Sequence, residues 1–345
     1  MNPAVLRAVL RFPLLMALCA SVLLAPARLW AQQPSAIEAQ SRAMSRASAS
    51  VVALKSVAVD DARSAASLGH TREGSGIVIG DGLVLTIGYL ILEAQFVLLE
   101  IDRERSVPAR VLGYDVATGF GLVQALAPLR IEAVPLGDAA DLVHTEPLMV
   151  VSGGENGNVS VAEMVSRRSF SGFWEYHLDA ALFTIPARTD HSGAGLFNPR
   201  GELVGVGSLL VADARGPREA KVAGNMFVPI DLLKPILDEL RTGGSSRTSR
   251  RAWIGVNCIE AEGAVRIVRV NDDSPAEVAG LEPGDRIVRI DGTEVPALEV
   301  LWKTLWNGGA PERDVSLEIV RNGQAQTLTL HAVDRMKTLK RAEGI

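Results

Sequence analysis

The sequence predicts a mainly β protein of two domains, and three observations carry that prediction. Between residues 50 and 230 the text breaks into about ten short β-like runs separated by turn signals, without interleaved helices, which implies a sandwich or barrel rather than a parallel α/β sheet. A length of 345 residues suggests two domains plus an appended segment, at roughly 150 residues per domain. The 32 glycines against 5 Trp, 3 Tyr and 8 Phe favour turn-rich β structure over a large aromatic core. Apolar residues at 48% and charged residues at 22% are ordinary for a globular chain and exclude disordered and collagen-like classes. A net charge of −5 offers no broad basic field for nucleic acid, and two cysteines cannot build a disulfide framework.

Residues 1–31 read as a secretory signal. Arg7 and Arg11 supply the positive start, residues 12–24 are apolar apart from Pro13 and Ser21, and small residues at Ala25, Ala27 and Ala31 mark cleavage after Ala27 or Ala31. This run contributes to the mean hydropathy of +0.19. It is shorter than the about 20 apolar residues of a bilayer span, so an uncleaved anchor is the lesser alternative. Removal of Arg7, Arg11 and Arg28 leaves 32 basic residues against 40 acidic, a balance of −8, with Cys258 as the single cysteine. The expected destination is periplasmic or secreted, and Cys258 reads as a small apolar strand residue.

Residues 32–49, small and polar without an aromatic side chain, read as a loose N-terminal lead. The first domain is expected over residues 50–241. Its clearest local signal is the hairpin of residues 76–79 and 83–86 around Gly80-Asp81-Gly82. A helix over 230–241, with Leu232, Leu233, Ile236, Leu237 and Leu240 on one face, closes the domain. Residues 242–252, beginning TGGSSRTSRR, have the composition of a flexible, solvated linker. A second domain is expected over 253–333, with five strands and two short helices at 275–279 and 297–306. A tail occupies 334–345.

Gly74-Ser75-Gly76, the hairpin, Leu83-Val84-Leu85-Thr86, Leu136-Gly137-Asp138 and Ser192-Gly193-Ala194-Gly195 follow one another in the order of HtrA-like serine proteases. The chain resembles that family from about residue 50 to 331. The resemblance implies a trypsin-like double β-barrel followed by a PDZ domain. It also implies a serine nucleophile at Ser192, a histidine base after the hairpin strand and an orienting aspartate. Here Tyr89 stands in the histidine slot and Gly119 in the aspartate slot. Asp190 stands where the family has the glycine of its oxyanion hole.

These departures matter chemically. A phenol with a pKa near ~10 is protonated at neutral pH and is a poor base for a serine hydroxyl. Glycine has no side chain with which to orient an imidazole, and a carboxylate at 190 would repel a developing oxyanion. The histidines are His70, His144, His177, His191 and His331. His191 adjoins Ser192 on a turn, where neighbours point apart, and His177 reads as a packed strand residue. None has metal-ligand spacing, so neither a metal nor another cofactor is expected.

The second domain carries the most specific motif, Ser274-Pro275-Ala276-Glu277 through Pro283-Gly284-Asp285, in which Ser274 caps a helix that Pro275 starts. Trp253-Ile254-Gly255-Val256 matches the family's carboxylate-binding loop, whose amides cradle a peptide C-terminus while the peptide adds as a strand. The expectation is an exported pseudoprotease that binds peptide or protein C-termini or unfolded envelope proteins in quality control, with an active HtrA-like protease as a further candidate partner. Homo-oligomerisation stays open, because residues 32–88 lack the aromatic residues through which the family trimerises. The alternative is an active endopeptidase using Ser192 with a non-standard base.

Overall fold

The computed structural model describes residues 36–144, 146–154 and 157–340. The leader read at 1–31 lies outside the described residues. Helix α1 (Ala36–Ala49) precedes six strands: β1 (Val51–Ala58), β2 (Thr71–Gly80), β3 (Leu83–Ile87), β4 (Ala94–Glu100), β5 (Ser106–Tyr114) and β6 (Phe120–Ala125), with the short helix α2 (Ala65–Leu68) between β1 and β2. They close into a barrel in the order β1-β2-β3-β6-β5-β4. A second closed barrel follows, ordered β10-β11-β12-β9-β8-β7. Its strands are β7 (Pro147–Val151), β8 (Val159–Ser171), β9 (His177–Ile185), β10 (Gly195–Phe197), β11 (Leu203–Val211) and β12 (Gly224–Pro229). This is the double barrel that the resemblance implied. Closure leaves no open sheet edge, and inward residues such as Leu54, Ile77, Leu85, Leu122, Phe183, Phe197 and Val228 are fully enclosed.

Beyond helix α3 (Leu237–Gly243), the C-terminal part is a sheet ordered β13-β19-β18-β16-β15-β14, with β17 paired to β16. These strands are β13 (Ala252–Trp253), β14 (Val256–Ala261), β15 (Ala264–Val270), β16 (Arg286–Ile290), β17 (Thr293–Glu294), β18 (Arg313–Arg321) and β19 (Gln324–Asp334), with helices α4 (Pro275–Val278) and α5 (Leu298–Asn307). Ser274 Oγ accepts from Glu277 N at 3.1 Å, the cap expected of it. Leu298, Leu301, Trp302 and Leu305 of α5 face the sheet's core.

Three expectations are corrected. From Ala36 the loose lead is the helix α1: its small, polar composition reads as loose, yet alanine is the best helix former, and Met44 and Ala47 pack on the barrel core. The helix over 230–241 is broken into a 3-10 turn at Ile230–Leu232 and α3, because Pro235 donates no amide hydrogen and disfavours helical angles in Lys234. The supposedly flexible linker is docked. Ser246 and Ser249 are 1% and 0% exposed, and both hydroxyls donate to Asp115 Oδ1, with Ser249 Oγ at 2.5 Å.

Candidate functional site

The hairpin strand positions the first candidate residues. β3 pairs with β6 so that Thr86 faces Gly121 and Ile87 faces Phe120. This register lays the 3-10 turn Gly88–Leu90 beside residue 119, where Gly88 N donates to Gly119 O at 2.6 Å. Tyr89 leaves this turn toward the second barrel and meets Ser192, on the turn before β10. The phenol oxygen lies 2.8 Å from Ser192 Oγ and 2.7 Å from the Ser208 carbonyl oxygen. A carbonyl only accepts, so the single phenol proton belongs to Ser208 O, and the serine hydroxyl donates to the phenol oxygen.

That arrangement has the shape of a nucleophile and its base without the basicity. Burial pushes the Tyr89 phenol up to about 12, with the Ser192 bond pulling weakly the other way. At neutral pH a proton taken from Ser192 would have to reside on an already protonated oxygen.

Gly119 sits at φ +84°, and a Cβ there would stand 3.2 Å from the hydroxyl of Tyr176, which itself donates to Thr118 O at 2.6 Å. Tyr176 therefore crowds any side chain placed at residue 119. Asp190 does not face the serine as a repelling charge. Burial would raise its carboxyl, but bonds from Arg188 (Nε at 2.9 Å, Nη2 at 2.5 Å) and from Ser152 Oγ at 2.5 Å hold it below the usual range. The expectation of oxyanion repulsion is corrected accordingly, because Arg188 already neutralises that charge. His191 turns Nδ1 onto Arg188 O at 3.0 Å, and burial lowers its pKa.

Tyr89, Tyr114 and Tyr176 are all the tyrosines of the chain, and burial raises every one, the first two to about 12. The folded state thus keeps its phenol protons beyond the range of the unfolded chain. Stability is intact below about 10 and is lost as pH rises from there toward 12. An ultraviolet titration is expected to show almost no phenolate in the native protein at pH about 10, where the denatured chain is half ionised. A native midpoint at the ordinary value would contradict the enclosed phenol at Tyr89.

The second candidate site is the loop around Gly255. Ile254 N, Gly255 N and Val256 N converge on one carboxylate, that of Glu175, from the loop between β8 and β9. Glu175 Oε1 lies 3.2, 2.7 and 3.3 Å from the three amides in turn. Two residues earlier, Phe173 O accepts from Cys258 N of β14 at 2.6 Å, and Gly172 O accepts from Trp302 Nε1 of α5 at 3.1 Å. Burial raises the Glu175 carboxyl to about 7, against the downward pull of the amides and of Arg335.

Comparison with known proteins agrees with both halves of the fold. A trypsin-like peptidase domain matches residues 74–206, and a PDZ domain matches residues 252–331. A probable periplasmic DegP-like serine endoprotease of Halomonas elongata is 25% identical over 295 residues, covering 80% of this chain and 60% of the relative. Its counterpart in Hahella chejuensis is 27% identical over 270 residues, covering 72% and 54%. The chain is HtrA-like. It spans between half and two thirds of the length of these curated relatives. The fold also matches the HtrA-type protease AlgW solved with a tripeptide, at TM-score 0.52 and 19% identity, covering 86% of this chain and 97% of that one. The serine endoprotease from Yersinia pestis matches at TM-score 0.52 and 19% identity, covering 88% and 99%.

Within this HtrA-like chain, Tyr89 and Ser192 meet at the seam of the barrels with Gly119 beside the Tyr89 turn, and the amides of residues 254–256 converge on Glu175, while Trp253 pairs with β19. Tyr176 and Glu175 were not legible as site residues, because their partners at Thr118 and residues 254–256 are distant in sequence. His177 is buried and bonds Ser171 Oγ at 2.9 Å and Asp179 at 3.2 Å. With Asp179 and Glu299 it brings three ligand-type atoms within 4.8 Å of one another. Lys303 Nζ, however, lies 2.7 Å from both carboxylates, so an ammonium already supplies the positive charge there.

Proposed function

We propose that this chain is an exported, periplasmic HtrA-like protein that does not cleave peptide bonds. In this reading its PDZ domain binds peptide C-termini or unfolded segments in envelope protein quality control. The observation that carries the first half is the bond from Ser192 to a neutral phenol. Tyr89 gives the serine a hydrogen-bond acceptor with no appetite for its proton, and Gly119 has no side chain with which to orient a base. Losing the base removes most triad catalysis, leaving what binding and oxyanion donors supply alone. The second half is supported by the three amides of residues 254–256, which hold a carboxylate in this structure. The domain limits 50–241 and 253–333 belong to the same proposal.

The test treats the mature protein and its Ser192→Ala variant with an active-site serine phosphonate and with casein. Equal, background signal from both is expected. Labelling or cleavage that disappears in Ser192→Ala would instead establish an active endopeptidase with an unconventional base.

A further inference from the structure

We propose that residues 172–176 of the second barrel are an internal ligand of the PDZ groove, with the Glu175 side chain standing in for a peptide's terminal carboxylate. An external C-terminus then enters only by displacing this loop. The inference rests on the reading of the PDZ domain as a C-terminus binder and adds its regulation.

Three contacts reproduce what an added peptide would make. The carboxylate sits on the consecutive amides of residues 254–256. The Phe173 carbonyl takes a strand-type hydrogen bond from Cys258 of β14, and the Gly172 carbonyl takes the indole proton of Trp302 from α5 on the other wall of the groove. Backbone pairing to an edge strand combined with carboxylate capture by successive amides is the mode by which such grooves hold peptides. Here the main chain continues past the carboxylate, so a side chain does what a terminus otherwise does.

The loop is tied to the barrel as well as to the groove. Tyr176 donates to Thr118 O and is stacked on Trp174, with centroids 5.6 Å apart and planes at 15°. Ser169 and Asp179, on the strands either side, meet Glu299 and Lys303 of α5. Burial works against the charged form of Glu175 even with three amides around it. A ligand that must first open a closed groove binds more weakly by the fraction of molecules in which the groove is open.

The experiment uses the mature protein and its Glu175→Ala and Glu175→Gln variants. Amide hydrogen exchange at Ile254, Gly255, Val256 and Cys258 is read first. Exchange at least about tenfold faster in Glu175→Ala is expected, and unchanged protection overturns the internal ligand whether or not any peptide binds. A pool of fluorescein-labelled decapeptides with free C-termini, and the same pool amidated, is then titrated by polarisation. The free pool is expected to bind Glu175→Ala about tenfold or more tightly than the unsubstituted protein, with Glu175→Gln in between and the amidated pool indifferent to the change. Equal affinity for all three proteins overturns the self-capping while leaving C-terminus binding intact. Failure of the free pool to bind any of them, with exchange accelerated, retires the C-terminus reading and keeps the internal ligand.

Discussion

Replacing Asp115 by alanine is expected to lower the free energy of unfolding by about 4 kcal/mol. Asp115 is fully buried, and four donors converge on it. Oδ2 accepts from Thr118 N at 2.7 Å and Thr118 Oγ1 at 2.6 Å, while Oδ1 accepts from the hydroxyls of Ser246 and Ser249. Ser249 Oγ in turn accepts from Val116 N at 2.8 Å. Alanine removes the acceptors and leaves the donors enclosed, and each buried unsatisfied group costs about 1–3 kcal/mol. Asparagine keeps one acceptor and should lose roughly half as much. By the usual conversion the alanine variant melts about 8–16 °C lower, read by calorimetry. A second readout isolates the cause: trypsin should cut after Arg247, Arg250 or Arg251 far faster in the variant, because their segment is held by those serines. A variant that melts lower without faster cleavage there would place the loss elsewhere.

Gly193→Ala is expected to cost about 3 kcal/mol or more, although it adds one methyl group. Gly193 holds φ +72°, and a Cβ there would stand 2.1 Å from Ser75 O and 2.8 Å from Thr86 Oγ1. Left-handed angles cost an alanine roughly 1–2 kcal/mol, and forced overlap with backbone adds about 1–3. The overlap falls on the seam between the barrels, where Ser75 N donates to Ser192 O at 2.9 Å and Gly153 N to Ser75 Oγ at 3.0 Å. Tyr89 and Ser192 bond across the same seam. The serine turn also ties the two barrels together, which gives Ser192 and its glycine a structural role. Urea titration of Gly193→Ala beside Ser192→Ala tests this, the serine variant losing only the about 1 kcal/mol of one hydrogen bond. Comparable losses in both would refute the steric account.

Local chemistry made much of the molecule readable. The hairpin around Asp81-Gly82, the capped turn at Ser274-Pro275 and the alternating strands are each decided by a few adjacent residues, and β3 and α5 stand within a residue of where pattern placed them. The break in the helix over 230–241 has a local cause in Pro235, whereas the linker was misread because its partner is remote. Serine, threonine and arginine in residues 242–251 look solvated by composition, and only the buried carboxylate of Asp115 shows otherwise. In α1 the helical spacing of Ala36, Ala39, Ala43 and Ala47 is present but lies within a small, polar composition.

The substitutions at 89 and 119 were visible as departures from a motif, and sequence alone determined which side chains are present at the seam. Only the tertiary structure decided what those side chains do. It brought the Tyr89 phenol against Ser192 and the Ser208 carbonyl, paired Asp190 with Arg188, set the Tyr176 hydroxyl beside Gly119 and laid Glu175 on the amides of residues 254–256. Apart from Arg188 and Asp190, which are two residues apart, each of these joins groups that folding brings together from far along the chain, and no spacing rule in the sequence encodes such a meeting.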